Sequence, residues 1–236
     1  MRRLRFIHAN SVKDDPTRII RAARYATRLC FEVDNDSLLQ IESTINTWPW
    51  EYTKEDNSFS APTALSSRLR MELEILFKNE SWKRAIIKIK DFQGLRLLDI
   101  NIQSELLCNR TVRWGMRFGI DPLTALIAIA KDPCLVAMRL QLAANQQLLL
   151  KQAIELNKFI SSIYISEKYK SWQPSRWCQE IESKNLEPES VAILICLGVP
   201  LWKQLLRWWG RWRLIKSNTT AKDLLKKGWE PGPKIG

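Results

Sequence analysis

The usual ligands of a protein-bound zinc ion are almost missing from this sequence. There is one histidine, His8, and the five cysteines are widely spread with no Cys-x-x-Cys pair. This pattern argues against a metal site and indicates buried free thiols in a reducing compartment. The sequence also lacks a run of about 20 apolar residues, the length that a membrane span needs. The basic start is not followed by the apolar segment of a signal peptide, so we expect a soluble, cytoplasmic chain.

Glycine is scarce as well, with 8 residues in 236, and this argues against a sheet-rich fold with many tight turns. Leucine, isoleucine and alanine dominate the second half, a composition typical of packed helices. Asp121-Pro122 and Asp132-Pro133 are expected to start helices, with an interruption near Ala144. The segment from Trp82 to Gln103 is also expected to be helical. We therefore predict an all-α protein.

The charge is strongly one-sided. Lys and Arg number 37 against 25 acidic residues, which gives a formal net charge of +12. Such an excess favours a polyanionic partner, with nucleic acid ahead of an acidic membrane surface.

One helix, predicted within the stretch from Asn10 to Phe31, carries the densest signal. Asp14 and Asp15 lie at its start, where either can accept hydrogen bonds from free N–H groups, and Pro16 suits the first helical position. Four arginines recur at three- and four-residue spacing and share one face: Arg18, Arg21, Arg24 and Arg28. An amphipathic helix with a solvated basic face is the simplest interpretation.

A more specific interpretation begins with the carboxylates and Arg18 at one helix end. A carboxylate accepts from an exocyclic amino group of a base, and a guanidinium donates to ring nitrogens or carbonyls. The run Asp-Asp-Pro-Thr-Arg-Ile-Ile-Arg from Asp14 resembles the neck-helix motif of the tRNA nucleotidyltransferase / bacterial poly(A) polymerase family, class II CCA-adding type. The resemblance implies that Asp14, Asp15 and Arg18 select the incoming CTP or ATP. It places Arg21 in the same pocket.

A second segment, the helix predicted from Ser66 to Phe77, resembles the second neck motif of the same family. Arg68, Arg70 and Glu72 fit that motif and imply support of the nucleotide-selecting helix, with Glu72 as a partner for a neck arginine. Ser67 stands where the family often has glutamate. An ordinary amphipathic helix with an intrahelical ion pair remains the alternative.

The end of the chain resembles the tail signature of this family. A short helix is expected to end at Gly228, followed by Pro-Gly-Pro, and such a turn can hold a phosphate of the tRNA acceptor arm. The RNA-contacting residues expected are Arg24, Arg28, Lys222, Lys226, Lys227 and Lys234. Family tails continue into a closing helix, so we expect this tail to be truncated. The tryptophans between Trp172 and Trp229 suit either base stacking or packing between helices, and their helical spacing favours packing.

The resemblance implies an elongated arrangement of three helical modules. These are a nucleotide-selecting neck (1–78), a body (79–168) and a basic, Trp-rich tRNA-binding tail (169–236). The glycine-serine turn, metal-binding carboxylate pair and Arg-Arg-Asp segment of the family's catalytic head are not found, and we expect them to precede residue 1. Asp34 and Asp36 lack that turn and are expected to cap a helix rather than hold Mg²⁺.

These expectations define a function and one alternative. The chain is predicted to be the nucleotide- and RNA-binding portion of a tRNA nucleotidyltransferase or poly(A) polymerase-like enzyme, inactive alone. Its expected partners are the tRNA acceptor arm and, when a head is present, CTP or ATP; Mg²⁺ is expected only at that head. A separate head polypeptide is left open as a further partner. The alternative is a stand-alone, non-catalytic helical RNA-binding protein, and the sequence does not distinguish CCA, CC, A or poly(A) addition.

Overall fold

The computed structural model describes residues 2–47, 63–215, 225, 226 and 228, and this part of the chain is all-α, as predicted. Its helices are α1 (Ser11–Asp14), α2 (Arg18–Leu29), α3 (Asn35–Thr47), α4 (Thr63–Asn79), α5 (Trp82–Asp91), α6 (Glu105–Arg117), α7 (Pro122–Ile127), α8 (Pro133–Arg139), α9 (Ala144–Ile165), α10 (Pro174–Glu182), α11 (Pro188–Leu197) and α12 (Trp202–Gly210). Short 3₁₀ segments cover Gly94–Leu97, Lys168–Ser171 and Trp212–Leu214. Two strands, β1 (Arg3–Leu4) and β2 (Glu32–Val33), form a small parallel sheet.

The two Asp-Pro pairs start helices, as predicted. Asp121 Oδ1 accepts a hydrogen bond from the Thr124 amide at 2.9 Å, and Asp132 Oδ1 accepts one from the Leu135 amide at 2.9 Å. The proline after each aspartate occupies the first turn, where its missing N–H costs no hydrogen bond. The expected interruption near Ala144 is the gap between α8 and α9.

The acidic turn before α3 is a helix cap. Asp34 Oδ1 accepts a hydrogen bond from the Ser37 amide at 3.0 Å, and hydrogen bonding from Ser37 holds the pKa of Asp34 below its ordinary value. In the described ranges, no three His, Cys, Asp or Glu side chains come together as a set of metal ligands.

The helix predicted to follow Asp14, Asp15 and Pro16 is α2, which begins at Arg18 and is preceded by a separate short turn. Residues 11–14 form the single turn α1, and Asp15 then adopts an extended backbone with φ −145° and ψ 91°. A proline disfavours helical backbone in the residue before it, and Pro16 follows Asp15 directly. The segment from Trp82 to Gln103, predicted to be helical throughout, is only partly so: α5 ends at Asp91, and a 3₁₀ turn follows.

The buried side chains form one connected core from Val12 to Trp208. At one end α2 packs against α4 and α5, burying Ile19, Ile20 and Ala23. At the other end α11 is buried along most of its length and packs against α6, α9 and α12. Each fully buried isoleucine or leucine contributes about 1.5–3 kcal/mol. The module boundaries at 78/79 and 168/169 stay predictions.

The tryptophans of the C-terminal third mainly pack between helices. Trp177 and Trp208 are buried, and Trp177 meets Trp172 edge-on with ring centroids 5.0 Å apart. Trp208 Nε1 donates to Glu182 Oε1 at 3.3 Å. The packing interpretation is therefore confirmed for these rings, whereas Trp229 lies outside the described residues. None of the helices in the described ranges combines the length and the apolar character needed to cross a bilayer.

Candidate functional site

A cleft of about 580 Å³ lies beside α2. One wall is the exposed side of the helix start and of α2, with Asp15, Arg18, Arg21 and Tyr25. The opposite wall is the N-terminal segment from Leu4 to His8. Three residues predicted to bind a nucleotide are thus brought together in one concave surface.

The N-terminal wall is fixed by backbone hydrogen bonds. Leu4 pairs with Val33 in the sheet, and the Leu4 carbonyl accepts from the Asp34 amide at 3.0 Å. Two residues further on, the Phe6 amide donates to Ser37 Oγ at 2.9 Å. The chain then returns through α1 to the start of α2, so the segment from Leu4 to His8 runs antiparallel to α2.

Asp15 is positioned by its own neighbours. Its Oδ1 accepts from the Thr17 amide at 3.2 Å and from Thr17 Oγ1 at 2.6 Å, which fixes the carboxylate at the start of α2. Its Oδ2 lies 3.5 Å from Arg68 Nη1, at the limit of a weak ion pair with a largely exposed arginine. Asp15 therefore presents one oxygen to which a ligand can donate. Asp14 is exposed and does not line the cleft.

The two arginines of the cleft differ in their surroundings. Arg18 is half-buried and forms no ion pair with any carboxylate of the described ranges. Arg21 is half-exposed, and its Nη1 lies 3.6 Å from Glu72 Oε1. Arg18 is accordingly the more available hydrogen-bond donor, and Arg21 is partly neutralised.

A row of ion pairs behind the cleft joins α2 to α4 and to Glu80, which directly follows α4. Arg24, with 9% of its side chain exposed, contacts Glu72 closely and lies 3.4 Å from Glu80. Arg28 Nη1 lies 3.8 Å from the same Glu80. We call Arg21, Arg24, Arg28, Glu72 and Glu80 the α2–α4 ion-pair ladder. It holds the angular position of α2, and therefore the direction in which Arg18 and Arg21 point.

The other predicted residues are dispersed. Arg70 Nη1 donates to the carbonyls of Leu140 and Gln141, which ties α4 to the connection between α8 and α9. Arg24 is buried in the ladder, and its contact with RNA stays a prediction. Arg28 lies over the Tyr25 ring at 4.8 Å and is half-exposed. Lys226 is exposed, whereas Lys222, Lys227 and Lys234 lie outside the described residues.

Tyr25 and Arg5 line the cleft but were not among the residues predicted from the sequence. Tyr25 had a local signal, since it follows Arg21 by four residues on the same helix face. Arg5 had none, because its place in the cleft depends on the pairing of two-residue strands that are too short to give a periodic pattern.

Comparison with solved structures gives the fold. No protein-family model matches the sequence, and no curated protein matches it significantly. A tRNA-processing enzyme solved with CTP superimposes with a TM-score of 0.59 at 17% identity, over 95% of this chain and 62% of that one. A CCA-adding enzyme in complex with ATP superimposes with a TM-score of 0.60 at 19% identity, over 99% of this chain and 56% of that one. A CCA-adding enzyme in its second apo form superimposes with a TM-score of 0.61 at 18% identity, over 99% of this chain and 55% of that one.

These matches show that the chain has a tRNA nucleotidyltransferase-like fold, which confirms the motif resemblance at the level of architecture. The chain spans between 55% and 62% of the length of these three solved chains.

Proposed function

We propose that this chain is the nucleotide-selecting and RNA-binding portion of a CCA- or A-adding tRNA nucleotidyltransferase or poly(A) polymerase-like enzyme, acting in maturation or repair of tRNA 3′ ends. The observation that carries the proposal is the cleft in which Asp15, Arg18 and Arg21 line one wall. The likeness in fold to enzymes solved with CTP and with ATP supports it.

The chemistry of the cleft suits selection of cytosine and adenine. Both bases carry an exocyclic amino group beside a ring nitrogen, whereas uracil and guanine present a carbonyl at the matching position. Asp15 Oδ2 can accept from that amino group once Arg68 moves away, and the Arg18 guanidinium can donate to the neighbouring ring nitrogen. A carbonyl facing Asp15 would leave two acceptors in contact, so uracil and guanine are rejected.

The rest of the chain is assigned to RNA. A net charge of +12 favours association with the phosphate backbone of the tRNA acceptor arm. Arg28 and Lys226 contribute exposed charge within the described residues. The proposal assigns Mg²⁺ and the transfer step to a catalytic head, where metal ions would neutralise the phosphate charge that develops during transfer.

Nucleotide incorporation into tRNA that lacks its 3′ end tests the proposal. The full chain is incubated with Mg²⁺ and CTP or ATP, alone and with a separately expressed catalytic head from an enzyme of similar fold. We expect incorporation only when the head is supplied. Asp15→Asn and Arg18→Ala should each lower use of the preferred nucleotide by about five- to a hundredfold, since each removes one base-edge hydrogen bond. Asp36→Asn is the matched control, because Asp36 is exposed on α3 and does not line the cleft.

Three other results would contradict the proposed function or part of it. Incorporation by the chain alone would contradict the placement of the metal site in a head. Tight tRNA binding without incorporation, even with the head, would favour the alternative of a non-catalytic RNA-binding protein. Equal effects of the Asp15 and Asp36 substitutions would remove the cleft from nucleotide selection.

A further inference from the structure

We infer that a second cavity, bounded by α8, α9 and α11, binds a small organic anion with an apolar body, and that Lys131 and Lys158 bind its charged group. The cavity has a volume of about 940 Å³ and shares no lining residue with the cleft beside α2. Residues 98–101 and 128–132 complete its walls. A concave site of this size, with an apolar lining and a few polar groups, is typical of small-molecule sites. The inference does not depend on the proposed function.

The floor of the cavity is apolar. On α9 the lining residues recur at three- and four-residue spacing, so they share one face: Leu150, Ala153, Ile154, Asn157 and Lys158. The buried side chains of Ile193 and Leu194 on α11 extend this floor. The lining face of α9 is apolar up to Ile154 and polar from Asn157 onward. It therefore matches a ligand that has an apolar body and a polar end.

Lys131 lies at the same end of the cavity as Lys158. The helices α8 and α9 are joined by residues 140–143 and contact each other, so they run antiparallel. Cys134 lies at the start of α8, and the charges of Lys151 and Glu155 are close enough to influence its pKa, which places it level with residues 151–155 of α9. Lys131 precedes Cys134 by three residues and so lies further toward the C-terminal part of α9, where Lys158 is located.

These two lysines differ from the other charged residues that line the cavity. Asp99 and Asp132 each accept a hydrogen bond from a backbone amide further along the chain, at 2.7 and 2.9 Å. The Arg139 guanidinium donates to a backbone carbonyl. Lys131 and Lys158 are exposed and form no ion pair with any carboxylate in the described part of the chain. Since an ammonium group beside apolar surface attracts an anion more strongly than it does in open water, this end favours a negatively charged group.

Fluorescence titration of the full chain with anilinonaphthalene sulfonate tests the inference. This probe carries a negative charge on an apolar aromatic body, and N-phenylnaphthylamine is the same body without the charge. Lys131→Met and Lys158→Met should each weaken binding of the charged probe by about three- to tenfold, because one charged contact is lost. Binding of the neutral probe should stay unchanged. Lys151→Met is the matched control and should change neither affinity, since Lys151 is exposed on the same helix and does not line the cavity.

A second variant and three competitors test the apolar floor and identify the charged group. Ile154→Asn places a polar side chain on the floor and should weaken binding of both probes. Octanoate, octyl phosphate and octanol then compete with the charged probe. We expect displacement by one or both anions and only weak displacement by octanol. Displacement by octanoate alone would identify a carboxylate ligand, and displacement by octyl phosphate alone would identify a phosphate ester.

Three results would overturn the inference. The first is unchanged binding of the charged probe in both lysine variants, or an equal loss in the Lys151 variant. The second is displacement by octanol at the concentrations at which octanoate acts, since the charged end would then contribute nothing. The third is displacement by tRNA that is lost in the two lysine variants, which would assign these lysines to an RNA phosphate.

Discussion

At the scale of single residues, Glu80 is the less exposed of the two glutamates in the α2–α4 ion-pair ladder. Only 3% of its side chain is exposed, and it contacts both Arg24 and Arg28. Arg24 is itself buried, so its charge is stabilised mainly by Glu72 and Glu80. Removing one partner of a buried ion pair leaves an uncompensated charge away from water, which costs far more than breaking an exposed pair.

Glu80→Gln should lower the free energy of unfolding by about 2–3 kcal/mol, somewhat less than for a pair with no second partner, because Arg24 keeps Glu72. Urea denaturation followed by tryptophan fluorescence measures this change. Glu74→Gln is the control on α4, the helix that directly precedes Glu80, since Glu74 is 54% exposed in its pair with Arg70, and it should cost less than about 0.5 kcal/mol. Equal losses in the two variants would show that the ladder does not stabilise the fold.

The residues of the site were predictable where their relation is local. Arg18 and Arg21 lie three residues apart on α2, so helical spacing alone places them on one side, and Asp15 lies just before that helix. Glu80 was not predictable, because 56 residues separate it from Arg24 and no local pattern around either residue links the two. The same holds for Arg68, which reaches Asp15 across 53 residues.

At the scale of secondary-structure elements, Gly94 packs closely against α2. A Cβ atom at Gly94 would lie 2.9 Å from Ile19 Cγ2 and 3.1 Å from Ile89 Cγ2. Ile19 is fully buried and cannot move into solvent. The close packing of α2 against this turn therefore requires a residue without a side chain.

Gly94→Ala should destabilise the protein by about 1–3 kcal/mol through overpacking, and differential scanning calorimetry would record a lower Tm. Gly210→Ala provides the comparison, since nothing lies within 4 Å of a Cβ there and the residue is helical. That change should leave Tm unchanged or raise it slightly, because alanine favours helix. A Gly94 variant as stable as the Gly210 variant would mean that Ile19 adapts without strain.

The secondary-structure elements that could be predicted were those whose first residues carry a clear helix-start signal. The starts of α7 and α8 follow from Asp-Pro pairs, because an aspartate cap and a first-turn proline act within four residues. The sheet of β1 and β2 was missed, because its pairing is tertiary. The helix α1 before Asp15 was missed because it is a single turn, shorter than the window from which periodicity is read.

At the scale of the whole molecule, the burial of the cysteine thiols measures how well the core excludes solvent. Burial raises the pKa of Cys108 to about 11 and that of Cys196 to about 12, whereas Cys30 is exposed. A thiol reacts as its thiolate, so Cys108 and Cys196 combine low ionisation with low access.

At about pH 8, a disulfide reagent should therefore modify Cys30 first and leave Cys108 and Cys196 intact until the chain unfolds, when all five cysteines react. Peptide mass analysis locates the modified residues, and Cys30→Ser should abolish the fast phase. Modification of Cys196 at the rate of Cys30 would show that the core around α11 opens readily.

The same two thiols make the free energy of unfolding depend on pH. Because the pKa values of Cys108 and Cys196 are raised in the folded chain, their stabilisation is complete below about pH 9 and falls as pH rises toward 11 and above.

The cleft has a consequence for how the molecule folds. The residues that line it lie between positions 4 and 37, so its two walls approach each other by closing short loops. Contacts of such low sequence separation form early and quickly. The ladder that fixes the cleft joins residues 48 to 56 positions apart and so forms only when α4 arrives. The concave surface can therefore form before the ion pairs that fix its orientation.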